Sequence, residues 1–451
     1  MPVPPENAPI ATPALASEQT RKLDGIFREW VANPKLAGAA VGFCVLDENG
    51  QTVFASPLAE VALCPASALK TVTTGAALGL LGPEFRFETV LTGTAPLNAD
   101  GTVDGDLALV GGGDPTLSSD DLIHLADTAI VAGLKSVAGR IVVDASIFPS
   151  DPVSDFWNWG DIGNAYGAGA FGLNVDHNRL AIRFDPGPQP GAPAKFLGGA
   201  PAPRDTRWEN NVVTGAAGSG DQVVVYSAPY GRSITLRGSV PLDESGFTVG
   251  GAIPDPPALA AELLRARLES AGVTFAERTV AAGSRVRLAK HQSPPLAEII
   301  DHLHRVSDNL EAQCLFLTFG LKQNADPADA VRQYWENAGV SFVGLRQLDG
   351  SGLARANTIR PLDLARVNFA ARRGPHGQRF YESLTGATEG AVRSKNGAMS
   401  GVRSQVGFLR TAADRELTFA LIANGLRAGI DFGSLRQELL QAIQAADAPV
   451  R

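Results

Sequence analysis

The sequence predicts an α/β fold with a large, mainly β insertion, and three observations carry that expectation. A helix and a strand hairpin open the chain, and a second hairpin followed by a helix closes it. Between residues 86 and 287 the texture changes to Gly/Pro-rich turns and short alternating strands. Hairpins from the two ends are expected to share one sheet with helices packed on either face, an α/β sandwich whose middle carries everything else.

Taken in order, residues 17–31 read as a helix. Residues 39–46 and 52–55 follow as strands around Asp47-Glu48-Asn49-Gly50, where Asn-Gly tolerates the positive φ of a tight hairpin turn. A helix over 71–81 stops at Gly82-Pro83. In the insertion, strands are expected at 107–110, 139–143, 222–226 and 233–238. Residues 185–204, dense in Pro, Gly and Ala, read as long loops, and 180–240 as a smaller nested module. A helix follows, capped by Asp255, with Pro256 and Pro257 in its first turn, Leu259, Leu263 and Leu268 on one side, and Gly272 at its end. Residues 301–320 have helix-like apolar spacing, 406–411 and 417–424 form the second hairpin, and 432–446 the last helix. The expected division is a discontinuous catalytic domain, 17–85 and 288–451, around an inserted domain, 86–287.

A chain of 451 residues is long enough for two or three domains. Its net charge of -8 and lack of basic stripes argue against nucleic acid and anionic lipid. No run reaches the ~20 apolar residues of a membrane span. Cys44, Cys64 and Cys314 are too few and scattered for a zinc site or disulfide framework and read as small buried apolar residues. Residues 1–16 lack the basic and continuous apolar regions of a secretory signal and read as a disordered mature N-terminus behind an added Met.

The chemistry starts at Ser67-Ala68-Leu69-Lys70, where one serine stands three residues before a lysine. Positions i and i+3 share a helix face, so the Ser67 hydroxyl comes within reach of the Lys70 amine. Serine needs an adjacent base to take its proton, and a desolvated lysine, or one beside another cation, can be that base. Two further motifs follow in chain order: Ser307-Asp308-Asn309, and Lys395-Asn396-Gly397 ahead of a strand. Ser-x-x-Lys, Ser-Asp-Asn and Lys-Thr-Gly in that order form a serine acyl-transfer signature. Other readings fall away. Gly111-Gly112-Gly113-Asp114 has no following Lys-Ser/Thr and reads as a turn, and no Gly-x-Ser-x-Gly elbow occurs. His302 and His304, two apart on a helix, make a poor metal pair, so neither metal nor cofactor is expected.

With these motifs, with Leu80-Leu81-Gly82-Pro83-Glu84-Phe85-Arg86-Phe87, Gly111 to Leu117 and Asp349-Gly350-Ser351-Gly352-Leu353, the chain resembles the class C penicillin-binding proteins of the peptidase S13 type. These are D-alanyl-D-alanine carboxypeptidases/endopeptidases. The resemblance extends over nearly the whole chain, including the long insertion between the first and second motifs. It implies a transpeptidase-like fold, an antiparallel sheet flanked by helices, and a serine peptidase of peptidoglycan stem peptides in the periplasm or cell envelope. It also implies covalent inhibition by β-lactams.

The resemblance implies Ser67 as nucleophile, Lys70 as its base, Ser307 as proton relay, Asn309 as a substrate hydrogen-bonder and Lys395 as the group that tunes the relay and attracts the terminal carboxylate. The oxyanion hole would be the backbone N–H groups of Ser67 and Ala398. Substrate contacts are implied at Asn396, Gly397, Ser351 and Gly352, and a distal pocket at Asp144, Arg355 and Met399 with Phe148 as an aromatic wall. One departure stands out: the family usually has Thr or Ser after the third-motif lysine, and this chain has Asn396. An esterase, amidase or β-lactamase on the same scaffold is therefore the first alternative, and a peptidoglycan-binding protein without the chemistry the second.

Overall fold

The computed structural model describes residues 18–279, 283–387 and 390–446. The reading of residues 1–16 as a mature N-terminus falls outside them. A six-stranded antiparallel sheet runs Thr385–Ala387, Val392–Met399, Val402–Arg410, Glu416–Asn424, Ala40–Leu46, Thr52–Ala55, so both chain ends do share one sheet. One face is covered by the terminal helices Glu18–Val31 and Phe432–Ala446. Phe27, Trp30, Phe43, Phe419 and Leu439 fill that core, and the Trp30 indole donates to Leu435 O at 2.7 Å, satisfying its one polar atom.

The other face carries the helices that matter for the site. Lys70–Leu81 is buried on nearly every side, which its even apolar distribution allows. A Cβ on Gly75 would lie 2.9 Å from the Trp335 ring and one on Gly79 would collide with the Tyr334 hydroxyl, so these glycines let the helix Pro327–Asn337 seat against it. The buried hydroxyls of Thr73 and Thr74 are satisfied by Gly350 O and Lys70 O.

The chain leaves this body through the strand Glu88–Gly93 and returns through Val286–Gln292, which pair antiparallel, so the excursion begins and ends at adjacent points. With Leu107–Val110 and Ile141–Asp144 these two strands form a four-stranded sheet, and the excursion also carries three small three-stranded sheets and the helices Ser119–Val131 and Pro256–Ser270. Their core, from Leu91 to Ala289, is one cluster that includes Leu180, Ile234 and Val240. Residues 180–240 thus have no core of their own, unlike the expected nested module. The expected loop 185–204 contains the strand Lys195–Ala200, paired with Arg179–Asp185; cross-strand pairing overrides the low strand preference of Gly198 and Gly199.

The continuous helix expected over 301–320 is instead two helices, Leu296–Val306 and Asn309–Gln323. Ser307 takes a left-handed conformation, φ 60°, and the Asp308 carboxylate caps the second helix by accepting from Glu311 N at 2.9 Å. Short polar side chains compete for backbone groups here, while the apolar spacing runs through because both helices face the same core. The break turns Ser307 and Asn309 toward the same cleft.

Candidate active site

Ser67 lies in a short 3₁₀ turn, Ala66–Leu69, that passes into the α-helix at Lys70. With three residues per turn, i and i+3 eclipse, which brings the two side chains closer than an α-helix would. Ala66, just before the nucleophile, has φ 46°, a strained conformation that persists only where surroundings hold it. Two glycines do so. A Cβ on Gly352 would lie 2.0 Å from Ala66 O, and one on Gly397 would lie 2.6 Å from Pro65 O and 2.8 Å from Ala68 N. Only residues without a side chain let both the 352 loop and the strand Val392–Met399 approach the turn so closely. Ser404 Oγ adds a hydrogen bond to Pro65 O.

Lys70 is fully buried, and Nζ reaches three oxygens: Ser67 Oγ at 3.0 Å, Asn309 Oδ1 at 2.6 Å and Ser351 O at 2.7 Å. A carbonyl and an amide oxygen can only accept. A neutral amine donates its two N–H bonds to these and is left with a lone pair facing the one partner that has a proton to give, Ser67 Oγ. Asn309 cannot reverse this, because its Nδ2 donates to Tyr166 O at 2.7 Å and fixes Oδ1 toward Lys70. Burial, with the Lys395 cation nearby, holds the Lys70 amine well below the ordinary lysine range, which favours that neutral form.

A second lysine–hydroxyl pair faces the first. Lys395 Nζ donates to Ser307 Oγ at 2.9 Å and to Asn396 O at 2.8 Å, and burial brings it down to about 8. His304, between Thr74 Oγ1 and Ser383 Oγ, is held neutral chiefly by burial, with the Lys395 cation adding to it, its pKa down at about 3. The cleft has two parts that meet at Ser67, Ser307 and Ala398. The part of about 350 Å³ is lined by Lys395, Asn396 and Gly397. The part of about 420 Å³ is lined by Gly352, Arg355 and Met399 with Asp161 and Tyr166.

Several expected site residues stand elsewhere. Ser351 contributes its carbonyl, not its side chain: Oγ is buried against Asp349. Asp144 lies outside the cleft lining, hydrogen-bonded to Ser146 and paired with Arg285 at 2.7 Å, which hold its carboxyl down at about 2. Phe148 is buried with Ala170, Leu310 and Cys314, its ring filling the space beside Gly113, and is no cleft wall. Asn396 lines the cleft, but its Oδ1 accepts from Arg436 at 3.1 Å, so only amide nitrogen remains to meet a carboxylate.

Three contributors were not anticipated. Asp161 and Tyr166 come from the insertion, Tyr166 Oη donating to Asp161 at 3.0 Å with its own pKa pushed up to about 12 by burial and that carboxylate. Their only sequence signal is an aromatic run, Trp157-Asn158-Trp159, in Gly-rich surroundings. Asp349 is the hub of the 349–354 loop: it accepts from the backbone N of Ser351, Gly352 and Ala354 and from the Trp157 indole at 2.8 Å, so it aims Ser351 O at Lys70.

Residues 23–440 match the family described as D-Ala-D-Ala carboxypeptidase 3 (S13). The chain is 31% identical over 456 residues to a D-alanyl-D-alanine carboxypeptidase of Actinomadura sp. (strain R39), covering 92% of this chain and 84% of that protein. It is 25% identical to the D-alanyl-D-alanine carboxypeptidase DacB of Haemophilus influenzae, covering 87% of each. The fold is similar to the crystal structure of penicillin binding protein 4 (dacB) from the same organism, with a TM-score of 0.77 at 22% identity over 94% of this chain and 97% of that one.

Proposed function

The chain belongs to the D-Ala-D-Ala carboxypeptidase 3 (S13) family, and on that footing we propose that it is a serine DD-peptidase acting on peptidoglycan stem peptides through an acyl-enzyme on Ser67. The observation that carries this reading is the Lys70 environment: two obligate acceptors and one hydroxyl around a buried amine. Ser67 Oγ attacks the carbonyl of the penultimate D-Ala while Lys70 takes its proton. The tetrahedral oxyanion is met by the backbone N–H groups of Ser67 and Ala398, each such donor typically contributing ~3 kcal/mol. The proton held by Lys70 is then relayed through Ser307 to the leaving D-Ala amine, which restores both groups, and water resolves the ester. Cutting D-amino-acid cross-links is the same step with a longer leaving group, which would extend from the part of the cleft lined by Lys395, Asn396 and Gly397. The setting we propose is the cell envelope, and among the described residues no helix is long and apolar enough to cross a membrane.

A β-lactam offers the same carbonyl in a ring and leaves a stable ester. Intact-mass analysis after benzylpenicillin is expected to show one adduct on the Ser67 peptide, absent in Ser67→Ala; an unmodified wild type defeats the reading. Steady-state comparison of a D-Ala-D-Ala peptide, a simple ester and nitrocefin separates peptidase from esterase and β-lactamase.

Lys395 sets a pH signature. Below about 8 it is cationic and attracts the substrate's terminal carboxylate; above, that attraction fades. kcat/KM for a D-Ala-D-Ala peptide should therefore fall as pH rises through about 8, while an analogue with an amidated C-terminus should not show that fall. Stability moves the other way. Between about 8 and the ordinary lysine value of 10.5 the unfolded chain holds a proton that the folded one has released, so the Lys395 contribution to stability rises with pH. Parallel profiles for the two substrates would remove Lys395 from carboxylate recognition.

A further inference from the structure

At the Ser307-Asp308-Asn309 turn, four side chains from both parts of the chain converge. His177 comes from the inserted segment, Asp308 from the turn itself, and His302 and Glu311 from the two helices that flank it. His177 Nδ1 lies 3.7 Å from Asp308 Oδ2 and 3.9 Å from Glu311 Oε1, too far for hydrogen bonds. These three donor atoms lie within 4.8 Å of one another. Donors at the ~2.0–2.2 Å bond lengths of tetrahedral zinc are separated by about 3.3–3.6 Å, so each pair needs only a small inward movement.

Two orphaned atoms mark the cluster. His177 Nδ1 and Glu311 Oε2 are buried without a hydrogen-bond partner, although the Glu311 side chain is only 1% exposed and such groups are rarely left unpaired. His302 holds the other oxygen of Glu311, donating to Oε1 at 2.7 Å. Arg179 pairs with Asp308 Oδ2 at 2.6 Å, so one fixed cation stands against two buried carboxylates. The backbone around His177 is also specified at some cost: Asp176, His177 and Asn178 all have positive φ, held by the Asn178 side chain on Gly169 O and by Asp176 on the Ser119 N–H.

We propose that His177, Asp308 and Glu311 form a site for a divalent first-row cation, zinc by its mixed imidazole and carboxylate donors, with Arg179 and His302 as the groups that orient the two carboxylates. The ion does not touch Ser67. Its place is structural: it joins the inserted segment to the residue between Ser307 and Asn309, and so fixes both relay side chains against the cleft. His304 takes no part, since its nitrogens face Thr74 and Ser383. The rival occupant is a proton shared between His302 and Glu311, which gives no metal-dependent signal.

The test uses the full chain stripped with chelator and then titrated with zinc alone. One equivalent should bind and survive desalting, and the melting temperature should rise with zinc concentration. His177→Ala and Glu311→Gln should each weaken zinc binding by at least about tenfold, while Ser67→Ala binds as wild type does. Cobalt(II) should give visible tetrahedral bands that disappear in His177→Ala, a readout that does not depend on turnover. No retained zinc at about 100 μM, or binding unchanged in both ligand variants, overturns the site.

Discussion

Lys70→Met is expected to lower the rate of Ser67 acylation by benzylpenicillin by about a hundredfold to ten-thousandfold, the range a positioned general base contributes. Methionine fills much of the lysine's volume, but its thioether sulfur is only a weak acceptor and far too weakly basic to take a proton, so Ser67 keeps its proton. The packing consequences are separate. Ser351 O and Asn309 Oδ1 lose their shared donor, costing ~1–3 kcal/mol each, partly offset because a buried amine has been removed. Lys70→Arg should not rescue the rate, since a guanidinium holds its proton and cannot act as base. Stopped-flow acylation, with circular dichroism to show a folded variant, checks this. A folded Lys70→Met acylating within about tenfold of wild type would take the base role away from Lys70.

The second large effect is expected at Asp349, which touches no substrate. Its buried carboxylate takes three backbone N–H groups and the Trp157 indole, so Asp349→Ala leaves these donors buried and unpaired. A loss of ~3–5 kcal/mol in stability is expected, of the size seen when a buried charged acceptor is deleted. Acylation should slow as well, because the loop that carries Ser351 O no longer holds Lys70 from one side. Asp349→Asn, which keeps one acceptor oxygen, should fall between the two. Denaturant unfolding and acylation rates on the same samples measure both; an Asp349→Ala chain as stable as wild type would show that the loop is held by something else.

What was legible in the sequence follows from the range of the interactions involved. Ser67 and Lys70 are three residues apart, and helical geometry alone joins them. The hairpins and terminal helices were legible because turn chemistry and apolar spacing are local, and the helix capped by Asp255 has the expected Ala258 N–H on its carboxylate. The kink at Ser307 escaped because apolar periodicity continues across it into one core, while the local signal, Ser-Asp-Asn, is equally a cap and a catalytic motif. Asn309, Ser307 and Lys395 entered only through the resemblance to a family. Their contacts with Lys70 and with each other span 239 and 88 residues, which no spacing rule covers. The same distance problem put Asp144 and Phe148 at the cleft and left out Asp161 and Tyr166: which acid of a loop-rich insertion faces the cleft is decided by tertiary packing. Asp349 and Trp157, 192 residues apart, meet only in the folded chain.

The central claim is that Lys70 is a neutral amine at working pH, with its lone pair on Ser67. It is tested most directly by the pH dependence of single-turnover acylation by benzylpenicillin, a step whose product is seen by mass and needs no carboxypeptidase turnover. The claim predicts a rate that rises with pH through an apparent pKa well below 10.5 and levels off before the ordinary lysine range is reached. A rate that keeps climbing about tenfold per pH unit up to the ordinary lysine range would mean that Lys70 enters the reaction protonated, and would contradict the account.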